Sequence, residues 1–286
     1  MNEQSRLELD SFRKQFDRYY SIGDLTPTIC ELFGVRTPDC CGAVPIAPVV
    51  DHAAKIMDGE GKLERAVLFC ADALGDHQKK LFPQVFEKIR HVAGLQMEST
   101  SVMASVTPVC YATIFTGASP SVHGIKRYEK PVLSVETMFD VLAQSGKRIA
   151  IASINNCSID MIFRNRKVDY FSFRDETLPF EWTRELIRRD EYDLIVCYMG
   201  TYDSTMHKKG CTAPEAAQQA QSAAERFQVL AEDMDKYYSR YNRSLVFVPD
   251  HGGHDLEDGH GIHGTELPED MLVSHYYRLM EGKAGE

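Results

Sequence analysis

The sequence has no C-x-x-C pair, no apolar run of membrane-spanning length, no basic stretch, and no internal repeat or low-complexity segment. Each absence narrows the field. Its eight cysteines are scattered, with Cys40 and Cys41 adjacent and Cys70 and Cys197 inside apolar runs where a thiol behaves as a small hydrophobe. That usage fits a reduced, cytoplasmic protein. No apolar run approaches the roughly 20 residues of a membrane helix, so no membrane partner is expected. The opening residues, MNEQSRLELDSFRK, contain no apolar core of a signal peptide. With 32 Lys and Arg against 42 Asp and Glu, the net charge of −10 leaves no basic footprint for nucleic acid. It does leave room for a local cationic centre, built from metal ions, that would meet a small anionic substrate.

What is present is ordinary for a soluble globular chain. Its 286 residues are 43% hydrophobic and 26% charged, with a mean hydropathy of −0.31, enough for one large domain or two small ones. Spacing predicts an amphipathic helix over residues 7–20, then a short helix capped by Asp24 or Thr26, with Pro27 in its first turn and Gly34 closing it. Residues 37–48 read as loop. Residues 66–71 form the first strand, ending on Asp72, and residues 81–92 a helix with Pro83 in its first turn. Thr107 is expected as an N-cap with Pro108 behind it, opening a helix that Gly117 closes. A helix over 135–144, a strand over 148–153, a helix over 182–189 and a strand over 193–199 follow. Thr212 and Glu215 form a capping box for a long helix to about Tyr241, whose stripe from Ala220 to Met234 faces a core. The tail from Pro268 to about Met280 reads as helix. Alternation of strand and helix indicates an α/β fold: a mostly parallel central sheet flanked by helices on both faces.

The densest chemistry lies in VFVPDHGGHDLEDGHGIHGT, residues 246–265, which holds four of the ten histidines and follows a strand-like run. Mixed imidazole and carboxylate suit zinc, manganese or iron better than calcium. The alternative is a solvated acidic loop. Two further strand ends carry comparable groups: Asp72, and Asp203 with His207, an acid and an imidazole four residues apart that can chelate from one turn of chain. Taken singly, Asp72 and Thr107 also fit as caps, and Asp203 as part of a polar loop. Open α/β sheets keep their sites at the C-terminal strand edge, where all three groups fall.

The blocks LFCADALG, SVTPVCYATIFTGASPSVHGI, YMGTYDSTMHKKG, VPDHGG and HGTELPEDM resemble, in order, the type I phosphodiesterase/nucleotide pyrophosphatase branch of the alkaline phosphatase superfamily. The resemblance covers residues 66–273 and implies a single alkaline phosphatase-like catalytic domain. It also implies two divalent metal ions, zinc first and manganese next. Asp72, Thr107, Asp250 and His251 would bind one, and Asp203, His207 and His263 the other, with His260 in reserve for His263. Thr107 would be the nucleophile of a phosphoesterase, forming a phospho-threonine. Phosphonate or sulfate-ester hydrolysis, phosphomutase activity and metal binding without turnover are the rival outcomes. Two departures stand out. Where nucleotide pyrophosphatases hold the phosphate with an Asn after the His-Gly-Ile block, this chain has Tyr128, whose phenol is the substrate-binding candidate. The stretch DLTPTICELFGV, residues 24–35, resembles a helix that such enzymes carry after the last metal ligand. Its place here predicts a permuted arrangement, with the segment 1–64 packing near the C-terminus.

Overall fold

The structure, a computed structural model, describes residues 19–57 and 62–283. The helix expected over 7–20 lies outside these, except for Tyr19 and Tyr20. The strands in chain order are β1 (Tyr20–Ser21), β2 (Arg65–Ala71), β3 (Leu95–Thr100), β4 (Ile149–Ile154), β5 (Asp169–Phe173), β6 (Leu194–Met199), β7 (Arg243–Phe247), the short hairpin β8 (His254–Asp255) and β9 (Gly261–Ile262), and β10 (Leu272–Met280). Eight of them form one sheet in the order β1-β3-β10-β7-β2-β6-β4-β5. All its strands run in one direction except β10, which is antiparallel to both β3 and β7.

Residues alternate between two cores along β2. Ala66, Leu68 and Cys70 pack with the helices Leu25–Phe33, Thr107–Thr116 and Met138–Gln144 on one face. Val67, Phe69 and Ala71 pack with Pro83–Ala93, Leu178–Arg189 and Pro214–Tyr237 on the other. Because both faces are covered, the central strands read as continuous apolar runs rather than as polar–apolar alternation. The helix Pro214–Tyr237 buries Ala220, Ala223, Phe227, Leu230 and Met234, the stripe expected from its spacing.

Several local expectations are corrected. The tail is helical only over Pro268–Met271; from Leu272 it is strand. Val273 and Tyr277 enter one core and Tyr276 the other, while the backbone fills the slot between β3 and β7. Ladder bonds on both sides outweigh the helical spacing. The expected helix 81–92 is two helices, Asp76–Leu81 and Pro83–Ala93, because Phe82 before Pro83 is driven out of helical geometry (φ −125°, ψ 58°). The stretch carrying Asp203 and His207 is the helix Thr201–Lys209 rather than a loop. Thr212 is no cap: Ala213 holds that position and the Thr212 hydroxyl donates to Asp255 Oδ2 at 3.3 Å. Strands β3 and β5 and the helix Ala47–Ile56 are not marked in the sequence, the strands because these half-buried segments toward the sheet's edges, with polar residues interspersed, show neither a run nor clean alternation.

The helix Leu25–Phe33 closes at Gly34 in left-handed geometry (φ 68°) and buries every residue but Glu31. It is fastened to the helix Thr107–Thr116 by Thr26 Oγ1, which donates to Ile114 O at 2.6 Å. Just before it, β1 pairs with β3, which pairs with β10. The Asp24 carboxylate is near enough to Tyr277 of β10 to help raise its phenol, after burial. Within the described residues, then, Asp24 comes close to Tyr277 of the C-terminal strand, with β3 between β1 and β10.

Candidate metal centre

Strands β7, β2 and β6 are neighbours at the middle of the sheet and parallel, so their C-terminal ends open on one edge. Asp72 follows β2 directly. Asp250 and His251 follow β7 after Val248, which still pairs with β2, and Pro249. Beyond β6, the helix Thr201–Lys209 sets Asp203 and His207 one turn apart on one face. His263 directly follows β9, at the end away from the hairpin loop. Thr107 is the first residue of its helix, one position later than the cap expected. Val106 takes the cap's place, in extended geometry, and its carbonyl accepts from the N–H groups of Val109 and Cys110, both at 3.0 Å. The Thr107 hydroxyl, relieved of capping, points elsewhere.

Six of these seven residues come together in two groups, with Thr107 beside the first. Asp72, Asp250 and His251 are buried and form one; Asp203, His207 and His263 form the other; within each, one candidate ligand atom per residue lies within 4.8 Å of the rest. His251 Nε2 is 3.4 Å from Asp72 Oδ1 and from Asp250 Oδ2. Nε2 of His207 and of His263 each lie 3.3 Å from Asp203 Oδ1. The rings of His251 and His263 stack with centroids 4.0 Å apart, joining the groups. Thr107 Oγ1 lies 3.5 Å from both Asp72 Oδ2 and His251 Nε2.

Hydrogen bonding shows what these groups are oriented for. In all three histidines Nδ1 faces a backbone carbonyl: Gly252 O at 2.8 Å for His251, Gly261 O at 2.9 Å for His207 and Ser105 O at 2.9 Å for His263. A carbonyl only accepts, so Nδ1 carries hydrogen and each Nε2 faces inward, free to present a lone pair whenever its ring is neutral. Nε2 of His207 and His263 are 3.1 Å apart, a separation that requires a proton or a metal ion between the two nitrogens. Asp72 Oδ1, Asp203 Oδ1 and Asp250 Oδ2 are buried without hydrogen-bond partners. Three orphaned carboxylate oxygens and three convergent imidazole nitrogens fit divalent metal ions of the zinc or manganese type.

The two groups differ in charge. Burial, reinforced by Asp203, pushes the Asp72 carboxyl up to about 7, and burial with Asp72 alongside raises Asp250 well above its usual range. Burial, with His263 nearby, pushes His251 down to about 3 and keeps it neutral. In the other group Asp203 resists burial: the imidazoles of His207 and His263 hold it below the carboxylate range. Asp203 in return raises His207 to about 9 and lifts His263 against its burial. The second group compensates its own charge; the first does not.

The other candidates lie elsewhere. Tyr128 is 62% exposed, with the Lys130 ammonium 5.4 Å from its ring centre. His260 is an exposed loop residue paired with Asp258 at 3.2 Å, so His263 and not His260 joins the cluster. His254 is tied to the buried Asp270 at 2.7 Å. Asp270 also accepts from Thr265 N and Oγ1, and so braces the chain just after His263. Sequence reasoning missed Tyr198, whose phenol makes a short hydrogen bond to Asp72 Oδ2. Burial raises that phenol far above its ordinary range, so it remains a donor. Its signal was a polar tip in an otherwise apolar strand, just before the Asp203 helix.

Among solved structures, the chain is similar to phosphonoacetate hydrolase from Sinorhizobium meliloti 1021 in complex with phosphonoformate, with TM-score 0.52 and 17% identity over 68% of this chain and 58% of that one. It is similar to murine ectonucleotide pyrophosphatase/phosphodiesterase 5, with TM-score 0.56 and 16% identity over 68% of this chain and 58% of that one. It is also similar to the C-terminal periplasmic domain of the phosphoethanolamine transferase EptC from Campylobacter jejuni, with TM-score 0.56 and 14% identity over 76% and 79% of the two chains. At these identities the likeness is one of fold, and this chain spans little more than half the length of the first two. No curated protein matches the sequence. A sequence profile described as type I phosphodiesterase/nucleotide pyrophosphatase matches residues 69–284, from the middle of β2 past the end of β10. That span takes in every strand end that bears on the cluster, and the chain belongs to the type I phosphodiesterase/nucleotide pyrophosphatase family.

Proposed function

We propose that this protein is a metal-dependent hydrolase of phosphate esters, acting on a monoester, diester or pyrophosphate bond of a small anionic substrate through a phosphorylated Thr107. One observation carries the reading: Thr107 Oγ1 stands 3.5 Å from a carboxylate and an imidazole of the buried group while taking no part in capping its helix. Asp72, Thr107, Asp250 and His251 would hold one ion, and Asp203, His207 and His263 the other. Bound there, two divalent ions would stabilise charge on the entering and leaving oxygens of an in-line displacement.

The chain's own groups do the rest. Thr107 Oγ attacks phosphorus, a phosphorus–oxygen bond is made, and the bond to the departing oxygen breaks. Asp72 Oδ2 is the nearest carboxylate oxygen for the hydroxyl proton. The N–H end of the helix Thr107–Thr116 aims its positive pole at the non-bridging oxygens. Backbone carbonyls keep the three Nε2 atoms turned inward. Water then attacks the phospho-threonine, releasing phosphate or a phosphomonoester and restoring the Thr107 hydroxyl. The eight free thiols support a reducing, cytoplasmic setting, which is part of the proposal.

The test is metal analysis of the purified protein, followed by mono- and bis-p-nitrophenyl phosphate, a nucleotide panel and a free-phosphate assay. Metal-dependent release that Thr107→Ala abolishes is the expected result. A metal-loaded protein inert on every substrate, or full activity in Thr107→Ala, overturns the proposal.

A further inference from the structure

The two oxygens of Asp72 have different surroundings. Oδ1 faces His251 Nε2 at 3.4 Å and has no hydrogen-bond partner. Oδ2 accepts the short hydrogen bond from the Tyr198 phenol and lies 3.5 Å from Thr107 Oγ1. Tyr198 stands opposite Cys70 across the β2–β6 ladder, so its side chain rises on the same face of the sheet as that of Asp72, two residues beyond Cys70. The ring is held from another side by Tyr111, edge-on with centroids 5.9 Å apart.

The phenol's path depends on residue 200 having no side chain. A Cβ on Gly200 would lie 2.9 Å from the Tyr198 oxygen and 3.3 Å from two of its ring carbons. Gly200 has φ −102°, a conformation open to any residue, so space and not backbone geometry excludes a side chain there. Tyrosine at 198 and glycine at 200 thus act together to bring one O–H to one carboxylate oxygen.

We infer that Tyr198 is a positioning residue for the metal centre: by donating to Asp72 Oδ2 it fixes the carboxylate plane so that Oδ1 is presented to the Asp72–Asp250–His251 group, and Gly200 keeps its path clear. Without that bond the carboxylate retains only the long contacts to Thr107 and His251 and is free to turn about its last torsion. The inference rests on the metal-centre reading given above.

The experiment titrates Zn²⁺ into the metal-stripped full chain against a chromophoric chelator, for wild type, Tyr198→Phe and Gly200→Ala. Hydrogen bonds to a ligating group typically carry 10–100-fold in metal affinity, so Tyr198→Phe should weaken one zinc equivalent by roughly that factor and leave the other within about threefold. Gly200→Ala should reproduce the one-sided loss, since its methyl displaces the phenol while the oxygen itself is retained. Wild-type affinity for both equivalents in Tyr198→Phe, or an equal loss at both, overturns the inference. A wild-type chain that binds no zinc instead overturns the metal-centre reading on which it stands.

Discussion

Asp72→Asn should make the metal-free protein more stable and the metal-loaded protein less so. Asp72 is fully buried, and its carboxyl is raised from 3.8 to about 7 by burial and by Asp203. The folded state therefore holds this proton more tightly than the unfolded chain does. Stability from this group is complete below pH 4 and is lost as pH rises toward 7. At 1.36 kcal/mol per pKa unit, the wild-type metal-free protein is destabilised by about 2 kcal/mol at pH 5 and by about 4 kcal/mol at pH 8. Asparagine cannot ionise, and its carbonyl can still accept the Tyr198 hydrogen bond. Urea unfolding in excess EDTA should then show Asp72→Asn ahead of wild type by a margin that roughly doubles from pH 5 to pH 8, at equal m-values. Because Asp72 also helps to raise Asp250, the difference reads Asp72 together with the relief of that neighbouring carboxyl. With saturating zinc the order should reverse, because wild type gains RT ln(1 + [L]/Kd) through a full ligand set. A margin that does not change with pH, or a metal-free Asp72→Asn that is less stable at pH 8, refutes the reasoning.

Thr107→Ala should lower p-nitrophenyl ester hydrolysis by a factor on the order of 10³ or more while leaving the unfolding midpoint and most of the bound metal unchanged. His123 is held neutral by burial, its pKa lowered from 6.5 to about 4, with Nδ1 accepting from Ile125 N at 3.2 Å and Nε2 bonded to Thr113 Oγ1 at 3.0 Å. Its contribution is intact above pH 6.5 and disappears as pH falls through 4, so His123→Gln should remove about 3 kcal/mol of acid sensitivity in urea midpoints followed over that window. Met206 fills the space beside Gly253, where a Cβ would lie 2.5 Å from its sulfur. Gly253→Ala should cost about 1–3 kcal/mol in wild type and measurably less beside Met206→Ala, a coupling that a double-mutant cycle reads directly.

How much of this was legible in the chain follows from the range of each interaction. The strand runs of β2, β6 and β7 announce themselves because burial on both faces makes them continuously apolar, and each ends on or near a carboxylate. The acid–imidazole spacing of Asp203 and His207 is visible in the sequence, whereas the helix Thr201–Lys209 that gives that spacing a shared face is not. Tyr198 was hidden because its partner, Asp72, lies 126 residues away. Strand β10 was hidden because its conformation is decided by the open edges of β3 and β7, to which no local pattern refers.

By itself, then, the sequence determined the α/β alternation, the strand ends that bear acids and imidazoles, and the threonine at a proline-marked helix start. These follow from local periodicity and from the stereochemistry of neighbouring residues. The tertiary structure alone decided how the histidines divide. His263 enters the second group and His260 stays in solvent because the carbonyl that orients His263 belongs to Ser105, 158 residues earlier, as that of His207 belongs to Gly261, 54 residues later. A lone pair is aimed by the hydrogen bond on the opposite ring nitrogen, and here that bond exists only once distant strands have been brought to one edge of the sheet.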